Sequence, residues 1–142
     1  MKSIYNGEKM NKVEEYLKEL ALPFEKRGET WIVQPRTFYN TRIGIRIEGP
    51  IITFTTNIVN LGQDKGSTSL DAHRLLYWNA NEMMHAAYGI AGESLVLTGA
   101  LEFENLDLNE FQGMVDDISM GVDTHFVEIR SWFGLETEKR AA

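Results

Sequence analysis

A chain of 142 residues that is 43% hydrophobic and 11% aromatic can bury one core of ordinary size, whereas two domains cut from it would each be too small to hold together without staples. It has no cysteine, which excludes disulfides, thiolate metal sites and cysteine nucleophiles together. The net charge of −7 opposes phosphate backbones and anionic membranes, and it is uneven: residues 1–66 sum to +2 and residues 67–142 to −9.

Taken in order, Asn11 and Glu14 have the spacing of a capping box, and Val13, Tyr16, Leu17 and Leu20 fall on one face of the helix it predicts. Pro23 stops that helix. Arg27-Gly28-Glu29 is a turn signal ahead of Thr30-Trp31-Ile32-Val33, residue types that suit a half-buried pleat, so a hairpin is predicted here. Ile43, Ile45 and Ile47 then alternate with Gly44 and Arg46, the period-two mark of a strand with one buried face. Gly49-Pro50 turns the chain into a return strand from Ile51 to Val59.

Leu61 to Ser67 reads as an exposed loop. Thr68 and Asp71 stand at capping-box spacing before a helix expected to run to about Ala87, with Leu70, Leu75, Leu76, Met83 and Met84 among its apolar positions. Leu75 belongs to its buried stripe, and Trp78, offset around the helix, is expected to face a second surface. Asn79, a poor helix former at mid-helix, calls for a hydrogen bond to the backbone of a loop. From Ile90 to Phe103 a second hairpin is predicted, turning near Gly92-Glu93. Asp107 with Glu110, flanked by Leu106 and Phe111, is the best-marked helix start, followed by the stripe Met114, Val115, Ile118 and Val122. Glu136 to Ala142 reads as a charged tail.

The expected fold is therefore α+β, an antiparallel sheet with helices against it in the order α-β-β-β-α-β-β-α. It is expected as a single domain over 1–142 with its core at about 11–133. No apolar run approaches the roughly 20 residues that span a bilayer, and Met1 to Met10 lack the apolar stretch of a signal peptide, so a cytoplasmic protein is expected.

Chemistry is sparse. Glu82 and His85 form a Glu-x-x-His pair, but a carboxylate metal site of that kind needs a second such pair, which the chain lacks. There is no Gly-x-Ser-x-Gly, no Gly-x-x-x-x-Gly-Lys and no Gly-x-Gly-x-x-Gly, so neither a serine nucleophile elbow nor a phosphate cradle is present. Asp116 and Asp117, adjacent on a helix, diverge by about 100° and read as a solvated face. Arg36, Arg42 and Arg46 lie in sequence near Trp31, Phe38 and Tyr39, a grouping that suits single-stranded nucleic acid in type but is small for so acidic a molecule. No catalytic, cofactor-binding or metal-ligating residue is assigned, and no nucleic-acid or membrane partner is expected.

Leu75-Leu76-Tyr77-Trp78-Asn79, the hairpin around Tyr88-Gly89-Ile90-Ala91-Gly92-Glu93, the run Leu106-Asp107-Leu108 leading to Phe111, and the opening Val13-x-x-Tyr16-Leu17 with Gly28 to Val33 together resemble the YbjN family of bacteria. That family, described as a sensory or regulatory group, is in turn similar to the type III secretion chaperone fold, and the resemblance covers roughly residues 11 to 130. It departs at Gln34 to Thr41, which is longer and more aromatic than the family pattern. The resemblance implies the same element order, no catalytic residues, and homodimers that hold an extended segment of a client protein. The expected function is a non-enzymatic protein-binding module, chaperone-like or regulatory, holding a protein or peptide partner and acting as a homodimer. Tyr77, Trp78, Met84, Trp31, Phe38 and Tyr39 are the candidate partner-binding or dimer residues. The alternative is a small enzyme or metal-binding protein built on Glu82, His85 and the acidic C-terminal half.

Overall fold

The structure is a computed structural model that describes residues 2–62 and 69–135, and of residues 2–6 the backbone alone. Thr68, most of the loop at 61–67 and the tail Glu136 to Ala142 lie outside the described residues. The elements are α1 (Lys2–Glu19), β1 (Phe24–Arg27), β2 (Thr30–Val33), β3 (Ile43–Glu48), β4 (Ile51–Asn60), α2 (Ala72–Asn81), β5 (Ala87–Ala91), β6 (Ser94–Glu102) and α3 (Leu108–Trp132). The strands form one antiparallel sheet in the order β1-β2-β3-β4-β6-β5. The expected α+β class holds, with a correction to the strand count. Phe24–Arg27 is a strand in its own right, paired with Thr30–Val33 across the Gly28 turn, so four strands precede α2 where three were expected.

The period of two sorts the sheet into faces. Trp31, Val33, Ile43, Ile45, Ile52 and Phe54 point one way and are buried, while Thr30, Ile32, Gly44, Arg46, Thr53 and Thr55 point the other way and keep contact with solvent. Both long helices lie on the buried face. Phe111 of α3 meets Phe54 edge-on at 5.4 Å and Tyr16 of α1 at 5.5 Å, and Trp31 Nε1 donates to Glu14 Oε2 at 3.0 Å.

The helix ends show where local signals rule and where they do not. At its C-terminus α1 closes by a Leu22 N–H bond to the Leu17 carbonyl, with Ala21 at φ 54° just before Pro23. Its start, however, lies nine residues ahead of Asn11: Lys9 is buried, donating to the Gly49 carbonyl at 2.8 Å and lying 5.2 Å from the Phe103 ring centroid, so tertiary contact carries the helix upstream of the expected cap. α3 starts as expected. Asp107 and Glu110 exchange both capping-box bonds, at 2.8 and 3.1 Å, between buried Leu106 and Phe111, and the helix then runs unbroken through Gly121.

α2 is capped by Asp71, which accepts from the Arg74 N–H at 2.9 Å, and it stops at Asn81 instead of about Ala87. The reason is Asp117 of α3. Its carboxylate accepts the N–H groups of Met84, His85 and Ala86 at 2.7 to 3.1 Å, and an N–H given to that carboxylate is lost to the helix ladder. Asp117 is thus buried, unlike Asp116, and the solvated reading of the pair is corrected for it.

Candidate functional site

The polar and aromatic groups that sequence reading left unassigned converge where α2, β5 and α3 meet. Trp78 is 1% exposed, stacked on the His125 ring at 3.9 Å and 9°, with Trp132 at 5.8 Å beyond and the Arg74 guanidinium 5.0 Å over its own ring. The expectation that it faces a second surface is therefore corrected: α3 supplies that surface within the same chain, and Trp78 shares the core with Leu75. Arg74 also pairs with Glu128 of α3 at 2.8 Å, tying the outer flank of the junction.

Behind Trp78 runs a hydrogen-bonded chain. The Tyr88 hydroxyl lies 2.7 Å from His125 Nδ1, and His125 Nε2 lies 2.8 Å from Glu82 Oε1, an arrangement that one ring proton satisfies when the phenol donates and Nε2–H is given to the carboxylate. Burial, reinforced by Glu82 and Asp117, holds the Tyr88 phenol well above its ordinary range. Glu82 is thereby committed to His125, and because α2 has ended, His85 stands apart, beside Gly113. The Glu-x-x-His pair that would have anchored a metal or catalytic reading is not formed. Among the described residues no group of three His, Cys, Asp or Glu side chains could hold a metal ion.

Asn79 bonds to backbone, as expected, but the backbone is that of strand β5 and not of a loop. Its Oδ1 accepts from the Tyr88 N–H at 2.7 Å and its amide donates to the Tyr88 carbonyl at 3.1 Å, the two bonds that a neighbouring strand would make. Tyr88 has one N–H to give, so its backbone faces away from β6, and Asn79 caps the outer edge of β5 from within the chain. The opposite edge, β1, is Phe-Glu-Lys-Arg after Pro23, a charged and proline-led strand of the type that resists added strands.

Of the other candidate partner residues, Trp31 and Tyr39 are also corrected. Trp31 lies on the core face opposite Ile45, and Tyr39 packs on Phe126 at 5.2 Å, so both are consumed by the core. Tyr77, Met84 and Phe38 remain exposed, joined by Leu76, Ile90, Met120 and Val127, which sequence reading did not single out. The basic-aromatic grouping is split as well. Arg42 and Arg46 join Arg27 around a shallow depression of about 540 Å³ on the solvent face of the sheet, away from Trp31 and Tyr39. Among the described residues no helix is long and apolar enough to cross a membrane.

The comparisons with known proteins agree in fold. The chain is similar to YbjN of E. coli (15% identity, TM-score 0.59, covering 86% of this chain and 91% of that one). It is similar to a chain of the heterodimeric complex ExoU-SpcU from the type III secretion system of Pseudomonas aeruginosa (14%, TM-score 0.62, 81% and 94%). It is also similar to the Yersinia pestis type III secretion chaperone SycH, solved in complex with a stable fragment of YscM2 (12%, TM-score 0.52, 82% and 94%). No curated protein sequence matches it. The expected likeness to YbjN and to the secretion chaperone fold thus holds over 81 to 86% of the chain. The model of the CesT_Tir_1 family spans residues 6–133, from within α1 to the end of α3, and the chain belongs to that family.

Proposed function

We propose that the protein is a non-enzymatic, chaperone-type module that holds a protein partner, acts as a homodimer and works in the cytoplasm. The observation that carries this reading is the set of large apolar side chains left outside a core that is already complete. Seven of them are exposed among the described residues, and they lie on α2, the neighbouring β5, α3 and the segments fastened to α3. Two solved structures of similar fold contain a bound protein, ExoU with SpcU and the YscM2 fragment with SycH, which supports a protein as the ligand here. The enzyme or metal reading has lost its basis in Glu82 and His85, since these residues do not converge.

The test is capture from the native host on the purified full chain, followed by mass spectrometry, and remaking of the complex from purified components. The expected result is one partner protein bound at fixed stoichiometry. If no captured protein binds again when purified, the reading fails.

A further inference from the structure

Four of the exposed apolar side chains sit on α3 or on segments fastened to it. Met120 and Val127 are seven positions apart, two turns and on one side of the helix, about 10 Å along its axis. Phe38 is fastened between them, its N–H donating to Asp123 Oδ1 at 2.9 Å, and Met84 is fastened one turn ahead, its N–H 3.1 Å from both oxygens of Asp117. Exposures of 65% for Phe38, 79% for Met84, 53% for Met120 and 49% for Val127 mark an exposed apolar band whose backbone is held by hydrogen bonds.

The flanks of the band are acidic. Of the five carboxylates on α3, Asp117 is buried, Glu110 closes the capping box and Glu128 pairs with Arg74, which leaves Asp116 and Asp123, while Arg130 is turned to the Phe126 ring at 5.6 Å. Asp116 and Asp123 lie on the band's own side of the helix, about 20° and 40° around from Val127. A second copy docking here would set these carboxylates against their own images, which costs energy at every approach. We infer that the outer side of α3 docks an amphipathic helix of the partner, apolar at positions i, i+4 and i+7, with lysine or arginine beside that stripe. This rests on the protein-binding reading above and gives it a surface and a partner chemistry.

The probes are fluorescein-labelled helical peptides of about 20 residues, long enough to form a stable helix. One has a leucine stripe flanked by lysine, one the same stripe flanked by glutamate, and one the lysine composition scrambled. The lysine-flanked peptide should bind the full chain, and the other two should bind about tenfold more weakly or worse. Met120→Glu with Val127→Glu should weaken the first peptide about tenfold without moving the urea midpoint, whereas Lys18→Glu, the same change in charge at an exposed position of α1, should leave it bound. Asp116→Lys with Thr124→Lys keeps the stripe and should turn the preference toward the glutamate-flanked peptide. Equal binding of the three peptides, undiminished binding to the double glutamate variant, or no binding at all would overturn the inference. A host partner that binds the double glutamate variant as tightly as the parent overturns this surface while the protein-binding reading stands.

Discussion

Asp117 satisfies three successive backbone donors from the segment after α2. Replacing it by alanine should cost about 3 kcal/mol, because charge-assisted bonds are lost together although part of the segment can turn to water. Asparagine should cost nearly as much, since it brings one acceptor and a donor that faces other donors. Urea unfolding of both variants checks this, and a loss below about 0.5 kcal/mol, the range of neutral surface changes, would refute it. Tyr88 makes a prediction in pH. Its phenol ionises near 10.0 when unfolded and higher when folded, chiefly because burial disfavours the phenolate. The stability this provides is fully present below pH 10 and is lost as pH rises beyond it, because only the unfolded chain then gives up the proton. Tyr16 is raised too, first by burial and then by Asp107, so Tyr88→Phe should flatten the alkaline fall without abolishing it. The same variant should lose about 1 kcal/mol at pH 7 from the missing bond to His125. Unfolding curves from pH 7 to about 11 that keep the parent's slope in Tyr88→Phe would contradict the assignment.

Among the elements, α3 depends most on local chemistry, and Asp107→Ala should cost it about 1 kcal/mol in thermal or urea unfolding. β6 depends on what crosses it. A Cβ at Gly99 would stand 2.7 Å from the end of Met114 and 3.0 Å from the His85 carbonyl oxygen. The methionine can swing aside, but the carbonyl belongs to the segment held by Asp117, so Gly99→Ala should destabilise by about 1–3 kcal/mol. Melting of Gly99→Ala at the parent's temperature would show that the segment moves freely. The same contrast explains what could be read in advance. The α3 start was legible because donor, acceptor and staple lie within six residues, and β3 because three isoleucines alternate. The end of α2 was not, since the acceptor that stops it lies 31 to 33 positions away. β1 was missed as a strand because Phe-Glu-Lys-Arg has no alternation to show. Trp78 was misjudged because its second wall, His125 and Trp132, belongs to a helix about 50 residues on. Asp117 did carry a signal: it falls three after Met114 and one before Ile118, inside the buried stripe of α3.

For the whole molecule, the proposed homodimer raises the question of how a chain of net charge −7 would meet a second copy of itself. Exposed strand edges offer such a contact no ready route. Asn79 occupies the backbone of Tyr88 on one edge, and charge with Pro23 blunts the other, so strand-to-strand joining is not needed. What remains is side-chain packing. α2 is the one helix of the three with no aspartate or glutamate between its ends, and it turns Leu76 and Tyr77 outward, with Ile90 exposed on the neighbouring β5. Two acidic molecules can approach there without setting carboxylates face to face, whereas α1 and α3 both carry several. A twofold contact of this kind buries the same apolar pair from each copy, so one substitution strikes it twice. Light scattering coupled to size exclusion at micromolar concentration should give twice 16.2 kDa for the parent and 16.2 kDa for Tyr77→Glu. Since Tyr77 lies outside the core, the variant's circular dichroism should match the parent's when both are monomeric at high dilution. A parent mass of 16.2 kDa would exclude the dimer, and a Tyr77→Glu variant that stays dimeric would move the interface away from α2.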